Sequence, residues 1–229
     1  MRLRERLNAI AALVPKGARL ADIGTDHAYL PITLIQKQQI SWAIAGEVHA
    51  GPYQSAKETI ERLGLQEKIM LRLGDGLSVV TPGEVDTAVI AGMGGTTIVA
   101  ILSGQLSVAR SLNRLILQPM IGAAAVRRWL LANGWCICEE SLVVEESRLY
   151  EMIAAEPGTS PVIEPILYEV GPILWQKRPP LLAAHIEQLI SRTNRILQAM
   201  SAGGNAKNSP RYYELVAKVQ QLEAKQACL

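Results

Sequence analysis

Compact apolar runs alternate with stretches of helical hydrophobic spacing over the first two thirds of the chain. The runs predict strands within residues 19–31 and at residues 42–47, 69–76 and 86–95. The helical stretches are residues 2–14, 29–39, 51–64, 95–103 and about 122–133. Two further runs, residues 136–146 and 149–155, predict closely joined strands, whose paired glutamates we expect at an exposed edge. Alternating strands and helices are typical of a parallel, doubly wound α/β sheet.

The last third of the chain has a different pattern. Prolines and glycines interrupt residues 156–179, which predicts a connector without regular structure. Helical spacing returns at residues 180–201 and 210–226, and the polar, glycine-rich residues 201–209 between them predict a disordered loop. Two helices joined in this way predict an antiparallel α-helical hairpin, a short coiled coil. We therefore expect one domain over residues 1–170 and a second over residues 171–229.

The turn after the first strand is the strongest candidate for a ligand site. Gly24 lies where the first parallel strand ends, and a glycine there lets a ligand approach the backbone closely. The glycine-rich patterns that bind phosphates are missing from the sequence, and the carboxylate of Asp26 would repel a pyrophosphate. The turn instead favours a nucleoside with cationic groups, such as the amine and sulfonium of S-adenosylmethionine.

The later strands also end in residues suited to a nucleoside. Glu47 ends the second strand, about 20 residues after the first turn, the spacing at which a carboxylate meets ribose hydroxyls. Asp75 follows the third strand, where it can accept a hydrogen bond from an adenine amino group. The glycines at 92, 94 and 95 open the floor of the pocket at the end of the fourth strand.

Five segments together carry a family resemblance. They are Asp-Ile-Gly-Thr-Asp-His-Ala-Tyr-Leu-Pro at 22–31, Gly-Glu-Val-His-Ala-Gly-Pro-Tyr-Gln-Ser-Ala at 46–56, Gly-Asp-Gly-Leu at 74–77, Gly-Met-Gly-Gly at 92–95 and Leu-Gln-Pro at 117–119. In this order they resemble the bacterial tRNA (adenine-22-N1)-methyltransferases, the TrmK family, and the likeness covers essentially the whole chain. One position departs from the family pattern, because Met120 stands where the family usually has Asn.

The resemblance implies a Rossmann-like class I methyltransferase sheet with one antiparallel strand, S-adenosylmethionine as cofactor and tRNA as partner. Asp26 is the candidate catalytic residue. The candidate cofactor-binding residues are Asp22, Gly24, Thr25, His27, Glu47, Val48, Asp75, Gly76, Gly92, Met93 and Gly94. The candidate substrate-binding residues are Tyr29, Gly95, Gln118, Pro119, Met120, Arg192, Arg195 and Arg211.

Several of these residues have a second interpretation. Asp26 can stabilise a methylated, cationic adenine, or it can cap the helix that follows. Tyr29 and His27 are the nearest candidates for stacking on the target base, although Tyr29 can equally belong to the core. Arg2, Arg4 and Arg6 can contact RNA phosphates, but a solvated helix face is the commoner role for such a run.

Charge and composition narrow the choice of function. Residues 176–229 have eight lysines and arginines against three glutamates, a net of +5, whereas the rest has 15 basic and 18 acidic residues, a net of −3. A basic hairpin suits an RNA-binding appendage, a cap on the domain or a contact with another subunit. The alternatives are a methyltransferase for a small molecule or protein, which needs no basic hairpin, and a non-catalytic RNA-binding protein, which needs no acidic turns.

The same composition gives expectations about environment. The longest apolar runs fall short of a membrane span, so we expect a cytoplasmic protein without membrane contact. The spacing of the three cysteines does not suit zinc, so we expect reduced thiols and no metal. We expect a monomer or a weak dimer.

Overall fold

The computed structural model of the protein describes residues 3–202 and 209–229, and within them seven strands form one sheet. The strands are Leu20–Ile23 (β1), Ala43–Glu47 (β2), Ile69–Leu73 (β3), Thr87–Gly94 (β4), Arg114–Ile121 (β5), Trp135–Glu145 (β6) and Arg148–Pro157 (β7). Their order across the sheet is β3-β2-β1-β4-β5-β7-β6. The first five are parallel, and β7 runs antiparallel to both of its neighbours. This confirms the expected sheet with one antiparallel strand.

Helices precede or connect the strands. They are Glu5–Leu13 (α1), Tyr29–Gln36 (α2), Ala50–Arg62 (α3), Gly95–Gly104 (α4), Leu106–Ser111 (α5) and Ala123–Ala132 (α6), with a 3-10 helix at Gly76–Val79 (η1). Every residue of β1 and β2 is buried, as expected for central strands covered on both faces. Ile10, Leu13 and Val14 of the α1 region belong to the buried core, so the apolar face of this helix packs on the sheet.

The paired glutamates of β6 correct one expectation. Glu139 is partly exposed, but Glu140 is buried and its carboxylate accepts a hydrogen bond from Arg127 Nε at 2.6 Å. Arg127 of α6 also pairs with Glu151 of β7 at 2.6 Å. Burial opposes the charge on Arg127, but these two carboxylates more than offset it, so the pKa of the guanidinium lies above its ordinary value. The exposed-edge interpretation was therefore wrong for Glu140, because Arg127 on the preceding helix α6 neutralises its charge in the interior.

The chain divides into two compact units, one ending at Ser160 and one spanning Pro161–Leu229. The second unit contains helices Leu167–Val170 (α7), Pro172–Lys177 (α8), Leu182–Ala202 (α9) and Pro210–Gln226 (α10). The interpretation of residues 156–179 as a connector without regular structure was wrong, since α7 and α8 lie within it and β7 extends to Pro157. Pro172 occupies the first turn of α8, where the missing N–H costs nothing.

The division falls ten residues before the expected one at 170/171, because α7 packs with the later helices of its unit. His185 Nε2 lies 3.1 Å from the Val170 carbonyl, and Lys218 Nζ pairs with Glu169 at 2.7 Å. The end of α10 also returns to the residues before α9, since Arg178 Nη1 donates to the Cys228 carbonyl at 3.0 Å. This geometry makes α9 and α10 antiparallel. The loop expected at residues 201–209 falls mainly on residues 203–208, which lie outside the described residues.

No helix within the described ranges is long and apolar enough to cross a membrane.

Candidate active site

The first turn leaves β1 at its carboxyl end and has a left-handed glycine. Gly24 has φ 75°, and a Cβ added there would overlap the Cε atom of Met93 from β4. The left-handed backbone conformation therefore favours glycine, and a side chain there would also have to displace the end of the flexible Met93 side chain. The backbone N–H groups of Gly24 and Thr25 donate to the Gly46 carbonyl at 2.9 and 3.0 Å, which fixes the turn against β2.

Asp22 is a buried carboxyl group at the base of this turn. It accepts a hydrogen bond of 2.6 Å from the Thr25 hydroxyl. The pKa of Asp22 is raised to about 6. Burial is the largest cause, the hydrogen bond from Thr25 acts in the opposite direction, and the nearby charge of Glu47 adds to the increase. A cationic ligand group beside Asp22 would favour the ionised form, so the structure provides an acidic site that a positive charge would stabilise.

Glu47 ends β2 and is also buried. Its Oε1 accepts from the backbone N–H groups of Val48 and His49 at 2.9 and 3.0 Å, and its Oε2 accepts from the N–H of Asp26 at 3.2 Å. A carboxylate has about four lone-pair sites, so one more donor, such as a ribose hydroxyl, can still be accepted. The same side chain thus links the ends of β1 and β2.

Asp26 projects from the turn, and its side chain is 68% exposed. Its φ is 54°, a left-handed conformation that Asp and Asn adopt more readily than most residues. The helix-capping alternative for Asp26 was wrong, because α2 begins at Tyr29 with Ala28 as its N-cap. The neighbouring rings of His27 and Tyr29 are stacked, with centroids 5.1 Å apart. A carboxylate and an aromatic pair therefore stand side by side at the mouth of the site.

A bulge in β4 forms the opposite side of the site. The register between β4 and β5 shifts around Met93, and Gly92 has φ 77°. The Gly92 N–H donates to Gln118 Oε1 at 3.1 Å, and Arg6 Nη1 donates to the same oxygen at 2.8 Å. Gln118 is fully buried, and its side-chain oxygen fixes the backbone of the bulge through the hydrogen bond from Gly92. Arg6 was not predicted to line this pocket, because no local signal distinguishes it from Arg2 or Arg4.

A pocket joins α1, the first turn and β4. Its lining residues are Arg6, Leu7, Asp22, Gly24, Thr25, Asp26, His27, Tyr29, Leu30 and Ala91. Six of the candidate residues therefore share one cavity. It presents two carboxylates, one guanidinium and two aromatic rings, which suits a ligand that has both positive and negative groups.

Known proteins resemble this chain in sequence and in fold. A methyltransferase domain family matches residues 3–153. The curated tRNA (adenine(22)-N(1))-methyltransferase of Bacillus subtilis is 36% identical over 97% of this chain and 96% of its own. The chain belongs to the bacterial tRNA (adenine-22-N1)-methyltransferase family. A Streptococcus pneumoniae protein of this kind, solved in complex with S-adenosyl-L-methionine, is 35% identical with a TM-score of 0.87, covering 98% of this chain and 100% of its own. TrmK from M. capricolum, solved with S-adenosylhomocysteine, is 27% identical with a TM-score of 0.85 and covers 99% of both chains.

In this family member other candidate residues of the first unit lie at the ends of neighbouring strands and at the start of α4. Val48, Asp75 and Gly76 lie beyond the carboxyl ends of β2 and β3, and Asp75 is exposed just before η1. Gly95 is buried, and an added Cβ would overlap the Gly122 carbonyl oxygen, so close packing explains this glycine. Pro119 is buried beside Gln118, whereas Met120 is 41% exposed at the end of β5.

The candidate arginines lie in the second unit. Arg192 and Arg195 are one turn apart on α9, and Arg211 pairs with Glu214 at 3.2 Å near the start of α10. Among the residues that the structure describes, no cluster of three or more histidine, cysteine or acidic side chains could hold a metal ion.

Proposed function

We propose that this protein transfers the methyl group of S-adenosylmethionine to N1 of adenine 22 in tRNA. The observation that carries the proposal is the 36% identity to the Bacillus subtilis enzyme over nearly the whole chain, together with the acidic pocket at the expected turn. Neither rival predicted from the sequence is favoured. A methyltransferase for a small molecule or protein is not what the near full-length relative is named as, since that relative acts on tRNA. A non-catalytic RNA-binding protein does not need the buried carboxylates of Asp22 and Glu47.

The residues fit the cofactor. Gly24 leaves a cradle that a side chain would fill, with Met93 across it. Asp22, Thr25 and His27 would surround the methionine end, Glu47 and Val48 the ribose, and Asp75 and Gly76 the adenine. Gly92, Met93 and Gly94 would form the floor where β4 bulges. When bound, the cofactor supplies a methyl group on a positively charged sulfur.

The chain then has to position the target base and stabilise its new charge. N1 of adenine has an in-plane lone pair, so it takes the methyl group without first losing a proton. The bond between carbon and sulfur breaks as the bond between carbon and nitrogen forms, and the positive charge moves from sulfur to the base. Orientation and electrostatics, rather than a strong base, therefore determine the rate.

We assign Asp26 to the stabilisation of the positive charge on the methylated base. Its carboxylate lines the pocket beside the first turn, where it would face the cationic product or accept from the adenine amino group. Tyr29, stacked on His27, would receive the base after it leaves its own stack. Met120 is exposed at the end of β5 and would offer an apolar contact where the family usually has an amide.

The second unit would hold the tRNA backbone. Arg192 and Arg195 lie on α9 and Arg211 on α10, within the region of net charge +5. Phosphate contacts of this kind contribute much of the affinity for nucleic acid. We propose that the enzyme acts in the cytoplasm, where tRNA is present, as a monomer or a weak dimer.

The experiment is methyl transfer from labelled cofactor to unmodified tRNA, with digestion and mapping of the product nucleoside. A matched transcript with guanine in place of adenine 22 is the control. We expect N1-methyladenine at position 22 in the first transcript and no methylation in the second. Equal labelling of both transcripts would contradict the proposed position, and no labelling of either would contradict the activity.

A further inference from the structure

Arg6 is the one cationic side chain among the residues that line the described pocket. It enters from α1, and its Nη1 donates to Gln118 Oε1 at 2.8 Å. The guanidinium lies 5.8 Å from the centroid of the Tyr150 ring, and its backbone N–H donates to Glu145 at 2.8 Å. These contacts fix the direction of the side chain, while most of its five N–H donors stay available to a ligand.

The sheet order determines which end of the cofactor Arg6 would meet. β1 lies between β2 and β4, so Glu47 is on one side of the first turn and Ala91 and Gly92 are on the other. A ribose held by Glu47 places the methionine end on the β4 side. Arg6 is on that side, since its Nη1 lies 3.5 Å from where a Cβ of Gly92 would stand.

The charges of the pocket match that methionine end. An ammonium and a sulfonium are stabilised by negative charge, which the buried carboxyl group of Asp22 supplies at the base of the first turn. The carboxylate of the same amino acid needs a positive partner. A guanidinium binds carboxylates with directed, charge-assisted hydrogen bonds.

We propose that Arg6 binds the carboxylate of the methionine moiety of S-adenosylmethionine, with Gln118 as the residue that positions it. This inference rests on the proposed cofactor but not on the tRNA substrate. It gives α1 a role in ligand binding beyond packing. It also explains why a buried glutamine accepts from both a helix and the β4 bulge.

The test compares two ligands by calorimetry, S-adenosylmethionine and its decarboxylated form, which keeps the amine and the sulfonium. We expect wild type to prefer the complete cofactor by about 10- to 100-fold, the range for one hydrogen bond to a charged group. Arg6→Gln should reduce that preference to near unity, mainly through weaker binding of the complete cofactor. Arg6→Lys should keep part of it.

Arg4→Gln is the matched control. Arg4 is the N-cap residue of the same helix and forms an exposed pair with Glu146 at 2.7 Å, outside the pocket lining. Its variant should keep the wild-type preference.

Three results would overturn the proposal: no preference in wild type, an unchanged preference in Arg6→Gln, or an equal loss for both ligands, which would mean that Arg6 acts only through the fold. If Arg6→Gln does not fold, the proposal is still tested by the preference of wild type for the complete cofactor and by the size of that preference in Arg6→Lys. A loss of tRNA affinity alone would instead make Arg6 a phosphate contact. Because no measurement of the preference includes tRNA, failure of methyl transfer leaves this inference standing.

Discussion

Asp26 offers a direct test of the catalytic assignment, because Asp26→Asn removes only its charge. Asn adopts the left-handed conformation at φ 54° as readily as Asp does. If the carboxylate stabilises the cationic base, kcat should fall about 10- to 100-fold, the effect of one charge-assisted hydrogen bond. Turnover at saturating tRNA and cofactor measures this.

The same variant provides its own controls. Asp26 is not the N-cap of α2, so the melting temperature should stay near that of wild type. Cofactor affinity, measured separately, should change little. Normal turnover would end the candidacy of Asp26 and leave the positioning of the base as the main source of rate.

Asp22 predicts a pH dependence of stability. Its pKa rises from an ordinary 3.8 to about 6 in the folded protein, chiefly because of burial. The protonated acid therefore stabilises the fold, fully below the unfolded pKa, and this stabilisation is lost as the pH rises through about 6. For the cofactor-free protein the loss amounts to about 3 kcal/mol.

Denaturant unfolding of wild type and Asp22→Asn at several pH values tests this prediction. The neutral amide does not titrate, so the stability of the variant relative to wild type should increase between about pH 4 and about pH 7. A constant difference between the two proteins across that range would mean that Asp22 titrates normally.

The residue scale also shows what sequence patterns can locate. Gly24 and Glu47 were predicted because each stands at a fixed place relative to a strand end, Asp22 was predicted from the family motif, and the fold brings these strand ends together. Arg6 could not be found in this way. Its role depends on how α1 packs against β5, a contact between residues 112 positions apart. Glu140 was misjudged for a related reason, since only the packing of α6 on β6 brings Arg127, 13 positions away, to its carboxylate.

At the scale of elements, the start of α4 depends on a close approach to the start of α6. A Cβ on Gly95 would overlap the Gly122 carbonyl oxygen, which is backbone and cannot rotate away. Gly95→Ala should therefore lower the free energy of unfolding by about 1–3 kcal/mol, the usual cost of overpacking. It should also reduce activity, because Gly95 directly follows the β4 bulge.

Gly104→Ala is the control at the other end of α4. Nothing lies within 4 Å of a Cβ there, so the change should be neutral or stabilise the helix by up to about 1 kcal/mol. Chemical denaturation of both variants gives the comparison. Equal stability of the two would mean that α4 shifts freely.

The elements that were not predicted from the sequence are short or unusual. β5 was seen as a Leu-Gln-Pro motif but not as a strand, and Pro119 inside it is uncommon in a central strand. α5 and α7 have six and four residues, too few to show a helical period. The long helices α9 and α10 were predicted to within two residues, because their apolar spacing repeats over several turns.

At the scale of the whole molecule, the formal net charge of +2 conceals a separation between a mildly acidic region and a basic one. The acidic residues of the pocket suit a cationic cofactor. The basic region from residue 176 to residue 229 suits a polyanion. Chemistry and nucleic-acid affinity should therefore be separable by mutation.

Replacing Arg192, Arg195 and Arg211 by Gln tests that separation. Each lost phosphate contact lowers the slope of log affinity against log salt by about 0.7 to 0.9, so three should lower it by about 2 to 3. Cofactor affinity should stay unchanged, as should kcat at saturating tRNA. Filter binding of tRNA over a range of salt concentrations gives the slope.

The control removes the same charge from the first unit through Lys57→Gln, Arg62→Gln and Lys68→Gln, three exposed positions on or after α3. If net charge alone determined tRNA binding, the slope of log affinity against log salt would decrease as much in this variant as in the arginine variant. We expect it to lose less, because the three arginines on α9 and α10 are the proposed phosphate contacts. Equal losses would therefore remove the specific role of these arginines while leaving the pocket chemistry untouched.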